Sequence, residues 1–274
     1  MLPVLVTGFP KLLALLAQAG TAGGSLINPP TGSELTRIIL RWLHFLAGIT
    51  WVGLLYFFNL VNVNFMKALD APTKGKVVPE LMPRALWWFR WGALVTVLVG
   101  LGYYTMFILA SDARNAGMST VGVFFKWFLI VLIAFAVIYA LLRPLSGALN
   151  KGEVLAVLIA IVVLIMAGVI VWLLNVPSLT GPGSAFGNKS LSIGIGGGIG
   201  IIMLLNVWGI IWPAQKRIIA WTKENAEKGT PMPAESAKLA RRSFLASRTN
   251  TWLSLPMLFF MAASHGDYIW FGPK

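Results

Sequence analysis

The chain has 274 residues, of which 57% are hydrophobic and only 11% charged, with a formal net charge of +13. Soluble domains usually carry about 25% charged residues, so this chain has too little polar surface to cover a water-facing exterior. It has no cysteine, which excludes disulfides, iron–sulfur clusters, thiolate metal sites and covalent c-type haem attachment.

The mean hydropathy of +0.78 comes from repeated apolar runs of roughly 20 residues, the length that crosses a ~30 Å hydrocarbon core at ~1.5 Å per residue. The expected fold class is all-α: a polytopic transmembrane helix bundle of six spans, plus an N-terminal apolar segment that is a candidate seventh. That segment and its linker occupy residues 1–34, and the membrane helical domain residues 35–271. In "MLPVLVTGFPKLLALLAQAG" the apolar run is interrupted by Pro3, Gly8, Pro10 and Lys11, which favours a tilted or interfacial helix over a full span.

The first span is expected from Leu35 to Leu60, with continuation towards Met66. The second covers Ala85 to Ala110, the third Thr120 to Leu142, and the fourth the aliphatic Val154 to Leu174. A fifth runs from Ser190 to Trp212 and a sixth from Phe244 to Trp270. Between spans one and two lie Lys67, Lys74, Lys76, Arg84 and Arg90; between three and four, Arg143 and Lys151. The fifth-to-sixth connection is the most basic, from Lys216 to Arg248, and is broken by Pro231 and Pro233. The alternate connections hold only Arg114 and Lys189. By the positive-inside rule the basic connections are cytoplasmic and the C-terminus faces outward, in a bacterial cytoplasmic membrane. Because no nucleic-acid-binding motif accompanies these charges, the expected partners are membrane lipids and other membrane proteins, not nucleic acid.

Only two histidines occur. Steps of three and four from His44 give Arg37, Arg41, Gly48, Trp51, Leu55, Asn59 and Asn62 on one face of the first span. Lipid cannot satisfy such a polar stripe, so it should point into the protein. The sixth span repeats the pattern with Asn250, Ser254, Met257, Met261 and His265. Counted from the expected outer ends, both rings lie ~7–13 Å below the outer surface. Two readings follow. Each histidine either ties helices together through a neighbouring carbonyl, or serves as an imidazole ligand to haem, with Met257 or Met261 as a softer alternative. Lys126, in "VGVFFKWFLI", either snorkels to the outer headgroups or neutralises a haem propionate or an anionic substrate. The glycines of "SIGIGGGIG", residues 192–200, sit in a span, so they read as close helix packing and not as a dinucleotide loop.

At "RWLHFLAGITWVG" and "SRTNTWLSLPMLFFMAASHGDY" the chain resembles the urate oxidase N-terminal membrane domain family, the membrane portion of cytochrome-c-fused bacterial urate hydroxylases. The carrying residues are Arg41, Trp42, His44, Gly48, Trp51 and Gly53, then Asn250, Leu255, Pro256, Met261, Ser264 and His265. A more distant likeness, in "FKWFLIVLIAFAVIY", is to the membrane protoporphyrinogen oxidase and copper-resistance group. The family resemblance implies a redox-type membrane protein with urate oxidation as one activity. The cytochrome c domain of the fused enzymes is not in this sequence, so a separate cytochrome is expected to exchange electrons with it.

The expected function is therefore an integral membrane redox subunit. It would bind haem b through His44 and His265 as metal ligands, with Arg41 and Lys126 near the propionates. The alternatives are a urate hydroxylase-like oxidoreductase needing a separate cytochrome, and a cofactor-free scaffold subunit of a larger membrane complex.

Overall fold

The first described helix starts on a reciprocal cap. Thr31 Oγ1 accepts from the Glu34 backbone N–H at 3.3 Å, while Glu34 Oε2 accepts from the Thr31 backbone N–H at 2.8 Å. This capping box satisfies donors that a helix start leaves unpaired, and it holds the Glu34 carboxyl below the usual carboxylate range. A computed structural model describes residues 29–144, 147–175, 186–265 and 271. Of the N-terminal segment and linker expected over residues 1–34, residues 1–28 lie outside the described residues. By internal contacts the chain divides into two units, Met1–Ile39 and Leu40–Lys274.

Helix α1 runs over Gly32–Ala68, α2 over Ala71–Asn115, α3 over Thr120–Leu142, α4 over Gly152–Asn175 and α5 over Asn188–Lys228. Helix α6 covers Ser236–Ala263, and a single 3₁₀ turn, Gly147–Asn150, precedes α4. The described residues contain no strand. Helices α1 to α5 are each long and apolar enough to cross a membrane. Large apolar side chains on their outer faces fit that solvent: Ile49 is 72% exposed and Leu164 70%.

Helix α6 differs from its five neighbours. Its first half carries Lys238, Arg241, Arg242 and Arg248, so the uncharged part within the described residues is 249–263, short of the ~20 residues a span needs. The expected span over Phe244 to Trp270 extends into residues 266–270, outside the described residues.

Several helices extend past their apolar runs. Asp70 caps α2 by accepting from the Thr73 N–H at 3.2 Å, with Pro72 in the first turn, where its missing N–H costs nothing. The stretch from Ala71, Pro79 and Pro83 included, is therefore helical where a basic loop was expected. Helix α5 likewise continues to Lys228, where Gly229 at φ 68° ends it in the left-handed conformation. The connection to α6 is thus only residues 229–235.

Helix α5 lies at the centre of the Leu40–Lys274 unit, packed against α2, α3, α4 and α6. Its glycines permit this. A Cβ on Gly194 would sit 3.1 Å from Tyr104 Oη, one on Gly196 3.1 Å from Phe260 Cβ, and one on Gly198 3.0 Å from Val131 Cγ2. Polar groups also bridge helices in the interior. Asn206 Nδ2 donates to Asn250 Oδ1 at 2.8 Å, and Asn250 Nδ2 donates to the Met203 carbonyl at 2.9 Å. Helices α1, α2 and α5 each contain one π-helical turn, at Phe57–Asn62, Tyr104–Leu109 and Val207–Ile211.

Candidate functional site

A cavity of about 500 Å³ is lined by α1, α2, α5 and the C-terminal part of α6, with Trp127 entering from α3. The deeper parts of the polar stripes face inward, with Trp51, Leu55, Asn59 and Asn62 buried on α1 and Asn250, Ser254 and Met257 on α6, whereas Arg37, Arg41 and His265 at the stripes' ends are exposed. Apolar and aromatic groups make most of the wall. The polar groups in it include Arg41, His44, Tyr56, Lys189 and His265. Both histidines therefore line one cavity.

His44 is half-buried and fixed by α2. Its Nδ1 lies 2.8 Å from the Thr96 carbonyl, and a Cβ on Gly100 would sit 2.9 Å from the ring. Thr96 is in turn tied to its own helix, its hydroxyl donating to the Gly92 carbonyl at 2.7 Å. A carbonyl only accepts, so Nδ1 carries the proton, and the neutral ring keeps its lone pair on Nε2. Among the described residues, Nε2 has no partner.

His265 repeats this chemistry at the end of α6. The helix stops at Ala263, and Ser264 N–H and His265 N–H donate back to the carbonyls of Phe260 and Ala262 at 3.1 Å each. His265 is thus exposed in the turn after the helix, not within it as the expected sixth span had it. Its Nδ1 lies 2.9 Å from the Met261 carbonyl and 3.1 Å from Ser264 Oγ. Again the protonated Nδ1 faces the backbone and leaves Nε2 available. A backbone partner on one ring nitrogen is the usual way a metal-binding imidazole is oriented.

One polar anchor holds this end together. Asn188 Nδ2 donates to the Ala263 carbonyl at 2.9 Å, fixing the start of α5 against the end of α6. Lys189 and His265 are thereby held at the same end, with Arg41 one turn before His44 on α1; Arg41 and Lys189 are exposed. Deeper in, Ser254 Oγ donates to the Thr251 carbonyl at 2.7 Å, so the Tyr56 hydroxyl is the donor in its 3.0 Å contact with Ser254 Oγ. Gly200 is buried, yet a Cβ on it would meet no atom within 4 Å. The space beside it is cavity.

The family model described as urate oxidase N-terminal matches residues 31–272. The chain belongs to the urate oxidase N-terminal family. No curated protein and no solved structure matches it. The matched region of this urate oxidase N-terminal member begins at the Thr31 cap and contains both histidines and every residue lining the cavity.

Lys126 stands apart from that cavity. It is exposed on α3, while its neighbour Trp127 is buried and lines the wall, because adjacent helical residues point ~100° apart. Lys189, expected only as a connecting charge, lines the cavity as Arg41 does. Gly100, Gly200 and Tyr56 were also missed. Spacing on α1 gave a signal for Tyr56, one turn from Val52 on the cavity side, but single glycines in a glycine-rich chain gave none.

Tyr103 and Tyr104 both line the cavity, and Tyr104 Oη donates to the Ser190 carbonyl at 3.1 Å. The described residues contain no cluster of three or more His, Asp or Glu side chains able to hold a bare metal ion.

Proposed function

We propose that this family member is a membrane redox subunit that binds haem b in the α1/α2/α5/α6 cavity and exchanges electrons with a separate cytochrome or another membrane subunit. The observation that carries this reading is that both histidines of the chain line one cavity with Nδ1 committed to a backbone carbonyl. His44, half-buried and braced by Thr96 and Gly100, is the fixed ligand. His265, exposed in the turn after α6, is the second and more easily displaced one.

The fit is chemical as well as geometric. The cavity volume lies within the ~300–1,000 Å³ of small-ligand sites, and its wall is mainly apolar. Arg41 and Lys189 supply positive charge for carboxylates at the end where both histidines lie. When bound, haem b supplies one-electron chemistry at its iron. The protein's part is to orient two imidazoles, exclude bulk water with apolar walls, and place cations at the rim.

In this reading the chain sits in a bacterial cytoplasmic membrane, with α6 as a sixth span. The basic ends of α1/α2, α3/α4 and α5/α6 lie in the cytoplasm and the histidine end outward. A second reading is favoured by family membership and the cationic rim. In it the cavity takes urate or a related planar anion directly, between the rim cations and His265.

The test is an absorption spectrum of purified protein, as isolated and after addition of haem. A reduced α-band of the haem b type is expected in the wild type. His44→Ala should abolish it, and His265→Ala should change the spin state or open a position to small ligands. Spectra unaltered in both variants would refute histidine ligation. No haem uptake, combined with saturable urate binding lost in Lys189→Ala, would establish the second reading. Absence of both would leave a cofactor-free scaffold.

A further inference from the structure

A second cavity, of about 950 Å³, runs between α4 and α6 over the surface of α5 and is separate from the histidine site. Along α4 it extends from Lys151 to Ala167, a rise of ~24 Å. Its two ends differ in chemistry. Over most of its length it is lined by side chains such as Ala156, Ile159, Ala160, Val163 and Leu253. At the other end Lys151, Arg241 and Arg248 converge with a single carboxylate, Glu153.

The basic end is built rather than incidental. Arg241 Nη2 donates to the Asn150 carbonyl at 2.8 Å and its Nε to Asn150 Oδ1 at 3.3 Å, which fixes its guanidinium at the turn before α4. The guanidiniums of Arg241 and Arg248 lie 5.8 and 5.6 Å from the same ring, that of Phe244. No ion pair among the described residues neutralises Lys151, Arg241 or Arg248. The N-terminus of α4 at Gly152 adds its own positive dipole end. Two guanidiniums near one aromatic ring and Lys151 lining the same end, against the single carboxylate of Glu153, leave an excess of positive charge that calls for an anion.

We infer that this groove is a binding site for one anionic phospholipid, whose phosphate sits among Lys151, Arg241 and Arg248 and whose acyl chain lies along the α4/α6 seam. Charge complementarity selects the headgroup: a zwitterionic lipid brings its own cation to a place that already holds three. The length selects an acyl chain, because the apolar wall from Leu155 to Ala167 rises ~18 Å, enough to cover one leaflet's hydrocarbon depth, about half of ~30 Å. Basic recesses between membrane helices bind anionic headgroups by the same logic.

The test uses the full chain purified in mild detergent, with native mass spectrometry in the presence of phosphatidylglycerol or phosphatidylcholine. One phosphatidylglycerol per chain is expected to persist preferentially. Lys151→Gln with Arg248→Gln should reduce that preference roughly 25-fold, at about fivefold per cation. Ala160→Phe, which narrows the apolar part of the groove and leaves all three cations in place, should reduce retention of either lipid. Circular dichroism and size exclusion confirm that the variants remain folded. Equal retention of the two lipids by the wild type, or a preference unmoved by the double variant, overturns the proposal. So does a protein segment cross-linked to Ala160 in place of lipid.

Discussion

Gly100 lies so close to His44 that a Cβ added to it would sit 2.9 Å from both Cε1 and Nδ1 of the ring. Real Cβ atoms do not approach so near. The absence of a side chain at 100 is therefore what allows the imidazole to reach the Thr96 carbonyl one turn away.

Gly100→Ala should push the ring off Thr96 and cost about 10- to 100-fold in haem affinity, the usual effect of losing an orienting partner. Gly102→Ala, where a Cβ meets nothing within 4 Å, is the matched control and should leave affinity unchanged. Haem titration followed by absorbance reads both. Equal behaviour of the two variants would remove Gly100 from the site.

Gly200→Leu should fill the cavity without touching either histidine. Ligand uptake should be lost while helix content is kept, because the added side chain enters open space. Gly200→Ala should bind nearly as well as wild type and gain up to ~1 kcal/mol in helix stability. Binding unchanged in the leucine variant would mean that the ligand sits elsewhere.

Asn206 and Asn250, both fully buried, form a bridge between α5 and α6. Asn250→Leu leaves the Asn206 amide without its acceptor and should destabilise the protein by about 1–3 kcal/mol. In Asn206→Leu/Asn250→Leu that orphaned amide is gone, so the double variant should lose less than the sum of the two single ones. Thermal unfolding in detergent provides the comparison. Strict additivity would show that the pair is not coupled.

Because the chain has no cysteine, single cysteines report sidedness cleanly. Asn115→Cys, at the exposed end of α2, should react with an impermeant thiol reagent in intact cells. Ala234→Cys, exposed in the 229–235 connection, should react only after permeabilisation. The reverse pattern would invert the proposed orientation.

Hydropathy located α1 to α5, but it reports where lipid begins and not where a helix ends. For α3 the two coincide. Ser119 caps it by accepting from Gly122 N–H, and the apolar run stops at Leu142, so the expected bounds and the observed ones agree. For α2 they separate, because Asp70 and Pro72 start a helix well before the apolar stretch, and Pro79 and Pro83 do not end it. The inward stripes were legible from the three- and four-residue spacing of His44, Trp51 and Asn59. That His44 and His265 line the same cavity was not, since depth along a helix says nothing about lateral neighbours. Lys126 shows the complementary case: its expected depth matched that of the histidines, but it is exposed on α3 and does not line the cavity.

The π-turns at Phe57–Asn62, Tyr104–Leu109 and Val207–Ile211 each hold one residue more than an α-helix needs to cover the same rise. Two packed faces flank each turn, and both would keep their register if that extra residue were deleted and the turn closed to α geometry. Length variation that respects the bundle is therefore expected to fall within these turns. Elsewhere in the same helices, removing one residue would rotate everything beyond it by ~100°.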